Sequence, residues 1–345
     1  MFNTDLNTPK SEIEVRIEKL QKKLDENNIN GTLILQKADL FYFTGTIQDA
    51  HLYVPCDDEP ILMVYKDLER ARAESSIKNI VPLKNTRQIC SLLHDNGYAL
   101  PRILGMEIDV LPANLYFNYK SLFEHAKIID ISHYLRLVRA IKSAYEIDLI
   151  RKAAHLSDLL ADSVKEFLHE GITEIELAGK IEARARKLGH QGFVRMRLWG
   201  SELHYGHLMA GPSAAVLSFL SSPTGGTGVS PAYAQSAGLS PIQKHEPVLV
   251  DYVFVLNGYM SDHARIFAIG DLSDDLIRAH EAMLKVQSLI KKEAKPKVKA
   301  GKLYDMALEL TKELGYEKYF MGLGDRRIRF VGHGIGLELD EYPFL

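Results

Sequence analysis

Ile13, Ile17, Leu20 and Leu24 recur at helical spacing near the start of the chain, and Asn30-Gly31 closes the pattern. That predicts one amphipathic helix. Three short apolar runs follow, TLILQ (32–36), PILMVY (60–65) and RILGMEI (102–108), each of the length and β-rich make-up of a buried strand. KIIDIS adds a last short strand near Asp130. Helix and strand signals that alternate in this way predict an α/β layer domain, placed here at residues 1–134.

The pattern changes from residue 135 onward. Ser143 and Glu146 stand three apart before a long amphipathic run that ends at Gly171, and Thr173 and Glu176 repeat the device before a helix ending at Gly189. Between Gly200 and Gly238 the chain is rich in Gly, Ser, Pro and Ala, which predicts loops and short strands. Helices are expected over 273–294 and 302–314. No internal repeat is present, and residues 135–345 are read as one second domain.

The chemistry concentrates in VLVDYVFVLNGYMSDHARIF (248–267). Asn257-Gly258 between two β-rich runs predicts a two-residue hairpin turn. Counting outward from it pairs Leu256 with Tyr259, Val253 with Asp262 and Asp251 with Ala264. With side chains alternating faces, Asp251 and Asp262 share one face with Leu249, Val253, Val255, Met260, Ala264 and Ile266. Tyr252, Phe254, Ser261, His263, Arg265 and Phe267 occupy the other. Diagonal neighbours lie about 7–8 Å apart, so the two carboxylates can converge. Burying both without a counter-charge costs several kcal/mol or forces a proton onto one of them. A divalent cation resolves the conflict, and hard oxygen ligands suit Mn, Mg, Co or Zn. The competing reading is a solvated pair, or one neutralised by a Lys or Arg from elsewhere.

The segments VDYVFVLNGYMSDHAR (250–265) and VGHGIGLELDEYP (331–343) resemble the pita-bread metallopeptidases, the family of prolidase, aminopeptidase P and creatinase. LRLVRAIKSAYEIDLIRKAA (135–154) resembles the opening of that catalytic domain, and ADLFYFTG (38–45) a motif of its N-terminal domain. The resemblance covers nearly the whole chain. It implies a pita-bread catalytic domain preceded by a smaller creatinase-type α/β domain, which would cover the pocket or build a dimer. It also implies two metal ions, held by two aspartates, a histidine and two glutamates, with a bridging hydroxide attacking the carbonyl before proline. By position Asp251 and Asp262 match the aspartates, and His333 the histidine. The implied cofactor is Mn, Co or Zn, the implied substrate a small proline-containing peptide, and the implied assembly a homodimer.

Four departures accompany the match. Val253 stands where the family usually has glycine, and Asp340 where it has a histidine. A second family histidine falls near Tyr233 and Ala234. The two glutamate ligands lie downstream of the histidine motif, and the sequence reaches Leu345 before either. The expectation is that these 345 residues hold at most one ion, weakly, and cleave Xaa-Pro peptides poorly or not at all. A continuation with two more glutamates would restore a two-ion site. Asp340 and Glu341 stand close to His333 as pocket candidates, but adjacent residues on an extended segment face opposite ways, so at most one can turn inward. Two other readings stay open: a family member that binds peptide or protein without hydrolysis, and a metal-assisted enzyme acting on a small non-peptide amide.

Composition narrows the remainder. A formal charge of −3 on 345 residues leaves no electrostatic footprint for nucleic acid, and no basic amphipathic stretch suits a membrane surface. The N-terminus carries charges every few residues and lacks the apolar core of a signal peptide. Only Cys56 and Cys90 occur, which argues for a reducing, cytoplasmic setting. HYGH puts His204 and His207 three apart, either as loop histidines or as pocket groups replacing a lost histidine. PTGGTG (223–228) reads as a turn, since no Gly-Lys-Ser/Thr follows it. Neither H-E-x-x-H nor G-x-S-x-G is present.

Overall fold

The computed structural model describes residues 6–322 and 327–345. Two compact units divide it, Met1–Tyr145 and Glu146–Leu345.

In the first unit α1 (Lys10–Glu26) buries the predicted stripe of Ile13, Ile17, Leu20 and Leu24, each worth roughly 1.5–3 kcal/mol when removed from water. The chain continues through β1 (Gly31–Ile34), α2 (Lys37–Thr44), β2 (Ala50–Pro55), β3 (Ile61–Val64), α3 (Leu68–Glu74) and β4 (Asn79–Pro82). It ends with α4 (Ile89–Asp95), β5 (Ile103–Met106), α5 (Ala113–Leu122), β6 (Lys127–Asp130) and α6 (Ser132–Ala140). The six strands form one mixed sheet in the order β4-β3-β2-β1-β5-β6. Strands β1, β3, β5 and β6 fall on the four predicted runs. β2 lies between them and is buried along its whole length, but His51 and Pro55 leave it an apolar run of only three residues, too short to read as a strand. The expected boundary at 134/135 falls inside α6. That helix packs on α1, and its Arg139 lies 2.6 Å from Asp39 of α2, both side chains fully buried.

The second unit opens with α7 (Ala144–Phe167) and α8 (Glu174–Lys187). Thr173 and Glu176 form the reciprocal cap read from the sequence. A three-stranded antiparallel sheet follows, β7 (Gly206–Ala210), β8 (Val248–Leu256) and β9 (Tyr259–Phe267). Leu160 and Val164 of α7 and Leu177 and Ile181 of α8 pack against Leu208, Val250, Tyr252 and Phe254 on one face of this sheet. On the opposite face Val253, Val255 and Met260 gather with Val194 and Leu339. Helices α9 (Asp274–Glu293) and α10 (Ala300–Glu313) pack through Val286, Ile290, Leu303 and Ala307. The chain closes with the short pair β10 (His333–Gly334) and β11 (Glu341–Phe344). No described helix is long and apolar enough to cross a membrane.

Candidate active site

The hairpin adopts the register expected from its turn. Asn257 and Gly258 both take positive φ, 49° and 84°, as a type I′ turn requires. Leu256 then pairs with Tyr259, Val253 with Asp262, and Asp251 with Ala264. Asp251 and Asp262 both line a cavity of about 250 Å³. Their aliphatic company is one-sided: Val253 and Met260 are buried, whereas Ile266 is 46% exposed. Arg265 and His263 turn the other way, to Asp158 of α7 at 3.2 and 3.4 Å.

His333 enters the same cavity from β10. Its Nε2 lies 3.5 Å from Asp262 Oδ2 and its Nδ1 3.6 Å from Asp340 Oδ1, with Gly334 O at 3.1 Å from Nδ1. Burial and the neighbouring Asp262 push the Asp251 carboxyl up to about 7, against a smaller opposing pull from His333. For His333, burial disfavours the charged ring, but Asp262, Gly334 O and Asp340 outweigh it and carry the group up to about 9. The imidazolium thereby offsets part of the carboxylate charge.

The two acidic residues after the histidine part company. Asp340 lines the cavity. Glu341 is buried, and its Oε1 accepts the amides of Leu337 and Glu338 at 2.9 and 3.2 Å, which pins the turn between β10 and β11. His204 and His207 also separate. His204 is 62% exposed and 3.8 Å from Glu182, away from the cavity. His207 is only 6% exposed, sits opposite Asp251 in the β7–β8 pairing and lines the cavity. Burial holds its ring below the ordinary histidine value, against the raising effect of Asp262. Gly206 lets β7 approach this closely, since a Cβ there would collide with the Asp251 carbonyl oxygen.

Three residues escaped the sequence reading. Gln235 is 1% exposed, and its side-chain nitrogen lies 2.6 Å from His207 Nε2. Glu174 ties down the loop that carries it. Its carboxylate accepts the amides of Ala210 and Gly238 at 2.8 and 2.7 Å and the Ser213 hydroxyl. His190 stacks on Tyr205 at 4.3 Å and hydrogen-bonds Val253 O at 3.0 Å, bracing the back of β8. A lone glutamine in a Gly/Ser-rich loop carries no periodic signal, so only the folded loop exposes its role.

Among the described residues, no group of three or more His, Cys, Asp or Glu side chains is already gathered tightly enough to hold a metal ion. The donor chemistry nonetheless fits one divalent cation. Two mutually repelling carboxylates and one imidazole face a single cavity, and Asp251 holds its proton to unusually high pH because burial and Asp262 penalise its charge.

Comparison with known proteins gives a consistent picture. The profile of metallopeptidase family M24 matches residues 148–345, and that of the creatinase/prolidase N-terminal domain matches residues 16–141. An Xaa-Pro dipeptidase of Pyrococcus furiosus is 27% identical over 330 residues, covering 95% of this chain and 84% of the relative. The solved prolidase of Pyrococcus furiosus superposes with a TM-score of 0.73 at 26% identity, over 94% of this chain and 85% of that one. An Xaa-Pro dipeptidase structure from Bacillus anthracis reaches a TM-score of 0.78 at 21% identity, over 96% and 84%, and establishes likeness of fold alone. The shared fold is the pita-bread architecture with its creatinase-type N-terminal domain.

Proposed function

This chain belongs to metallopeptidase family M24, and from that premise we propose that it is a metal-dependent hydrolase of the Xaa-Pro peptidase type, cleaving the amide before proline. The observation that carries the reading is the convergence of Asp251, Asp262 and His333 on one cavity, in the order and spacing that the family resemblance implies. The relatives' printed activity, Xaa-Pro dipeptidase, supports the substrate class.

Asp251, Asp262 and His333 would hold the ion. When bound, a divalent ion supplies Lewis acidity and a water of lowered pKa. Asp251 and Asp262 bring negative charge that a neutral peptide alone would not balance. Asp340 faces the remaining nitrogen of His333 and favours one ring orientation. Val253 and Leu339 form an apolar wall that excludes water beside the carboxylates. Two carboxylates and one imidazole suffice for one ion, of Mn, Co or Zn. We read the native form as a cytoplasmic homodimer, a reading supported by the two free cysteines and by the family resemblance.

One observation favours the non-catalytic alternative. His333, charged between Asp262 and Asp340, offsets part of the site's negative charge without any metal. The test is hydrolysis of a panel of Xaa-Pro and Xaa-Ala dipeptides by protein supplied with Mn(II), Co(II) or Zn(II). Metal-dependent cleavage restricted to the proline series, abolished in Asp251→Asn, supports the hydrolase. Tight peptide binding with no cleavage under any metal supports the alternative.

A further inference from the structure

His207 is built into the cavity wall in a way that a core histidine does not need. It sits on β7 directly opposite Asp251, is 6% exposed, and lines the cavity beside both aspartates. One ring nitrogen is engaged, Nε2 lying 2.6 Å from the side-chain nitrogen of Gln235. Nδ1 makes no hydrogen bond among the described residues, and the residue as a whole lines the cavity.

Gln235 is held firmly. Its neighbour Ser236 donates its amide to Gly225 O at 2.6 Å, and Ser236 Oγ accepts the Leu208 amide at 3.0 Å. Glu174 fixes both ends of the excursion, at Ala210 and Gly238. The glutamine's own Oε1 is buried without a partner, and its side-chain nitrogen is the atom that meets His207. An amide N–H can only donate, so Nε2 accepts and a neutral ring must carry its proton on Nδ1. That places one N–H donor toward the cavity among groups that otherwise mostly accept.

We propose that His207, fixed in its Nδ1–H tautomer by Gln235, is a substrate-contacting residue that donates a hydrogen bond to a carbonyl oxygen of the bound peptide, with Gln235 as its positioning residue. This deepens the peptidase reading and rests on it for the identity of the ligand. A carbonyl is the acceptor to expect, because a donor stabilises an oxygen that gains negative charge during amide cleavage. Asn and Gln separate the two nitrogens: an Asn amide nitrogen lies near the position of Nδ1, and a Gln amide nitrogen near that of Nε2.

The test pairs kinetics with ring tautomers, read by long-range ¹H–¹⁵N NMR of metal-free protein and assigned by difference against His207→Asn. The wild-type ring should show Nδ1–H, Gln235→Glu should switch it to Nε2–H, and adding Ala-Pro should shift Nδ1 in the wild type. In Mn(II)-loaded protein His207→Gln should lose on the order of 100-fold in kcat, His207→Asn clearly less, and Gln235→Glu should lower kcat more than it raises KM. An Nε2–H tautomer in the wild type, an Nδ1 signal unmoved by saturating Ala-Pro, or a His207→Gln variant within twofold of wild type would each overturn the proposal. If the wild type cleaves nothing but its Nδ1–H signal still responds to Ala-Pro, the contact stands and the hydrolase reading falls instead.

Discussion

Asp340 and Glu341 are neighbours in sequence, yet one lines the cavity opposite His333 Nδ1 and the other is buried beneath the turn, accepting the amides of Leu337 and Glu338. The division follows from extended geometry, in which successive side chains leave opposite faces. It also separates two kinds of consequence. Replacing Glu341 by Ala leaves two buried amides unpaired, at a cost of about 1–3 kcal/mol each, and loosens the segment that carries His333. Hydrogen exchange at Leu337 and Glu338 should rise sharply in that variant and Mn(II) affinity should fall. Asp340→Asn should weaken Mn(II) binding without accelerating exchange. Equal exchange in the two variants would reject the division.

The carboxylate pair carries a stability cost of its own. Without metal, burial and Asp262 hold the proton on Asp251 up to about pH 7, so at pH 8 its charge stands beside Asp262 and His333 offsets it only in part. Asp251→Asn removes the repulsion while keeping the shape. In EDTA at pH 8 the variant should unfold at higher urea, gaining on the order of 2 kcal/mol, while its Mn(II) affinity collapses. A variant less stable than wild type in EDTA would mean that the pair is already neutralised by protein groups.

In the first unit, Arg139 stands 2.6 Å from Asp39, and burial together with Asp39 raises the Glu107 carboxyl well above its ordinary value. Arg139→Met leaves buried acid without this guanidinium, and breaking such a pair costs about 3–5 kcal/mol. The double variant Arg139→Met with Asp39→Asn should recover much of that loss. Additive losses in urea denaturation would show that the two residues do not act as a pair.

His51 supplies the pH dependence of the same unit. Its Nε2 lies 2.6 Å from Tyr119 Oη, its Nδ1 is buried without a partner, and burial pushes the ring down to about 4. The unfolded chain binds a proton near 6.5 that the folded chain refuses until about pH 4. Stability is therefore fully present above pH 6.5 and is lost as pH falls through that window, by on the order of 3 kcal/mol. The protection of the β2 amides, corrected for the slower intrinsic exchange at low pH, should fall from pH 7 to pH 4.5. His51→Gln should flatten that fall, and an unchanged pH profile in the variant would remove His51 as the cause.

Legibility in the sequence followed the reach of local physics. The Asn257-Gly258 turn sets a register over nine pairs, so two aspartates eleven residues apart could be placed on one face before any coordinates. The α1 stripe and the Thr173–Glu176 cap were equally local. β2 was hidden because its sequence, AHLYVP, offers only three consecutive apolar residues, Leu52 to Val54, between His51 and Pro55. His204 and His207 could not be separated by spacing, since only the pairing of β7 with β8 turns one toward Asp251. Gln235 depends on a loop folded through Glu174, a residue sixty-one positions away, and no sequence window spans that contact.

Calorimetric titration of Mn(II) into metal-free protein shows whether Asp251, Asp262 and His333 hold a divalent ion. One saturable equivalent is expected in the wild type, weakened at least tenfold, ~1.4 kcal/mol, in each of Asp251→Asn, Asp262→Asn and His333→Gln. No saturable binding in the wild type, or binding that all three substitutions leave unchanged, would contradict it.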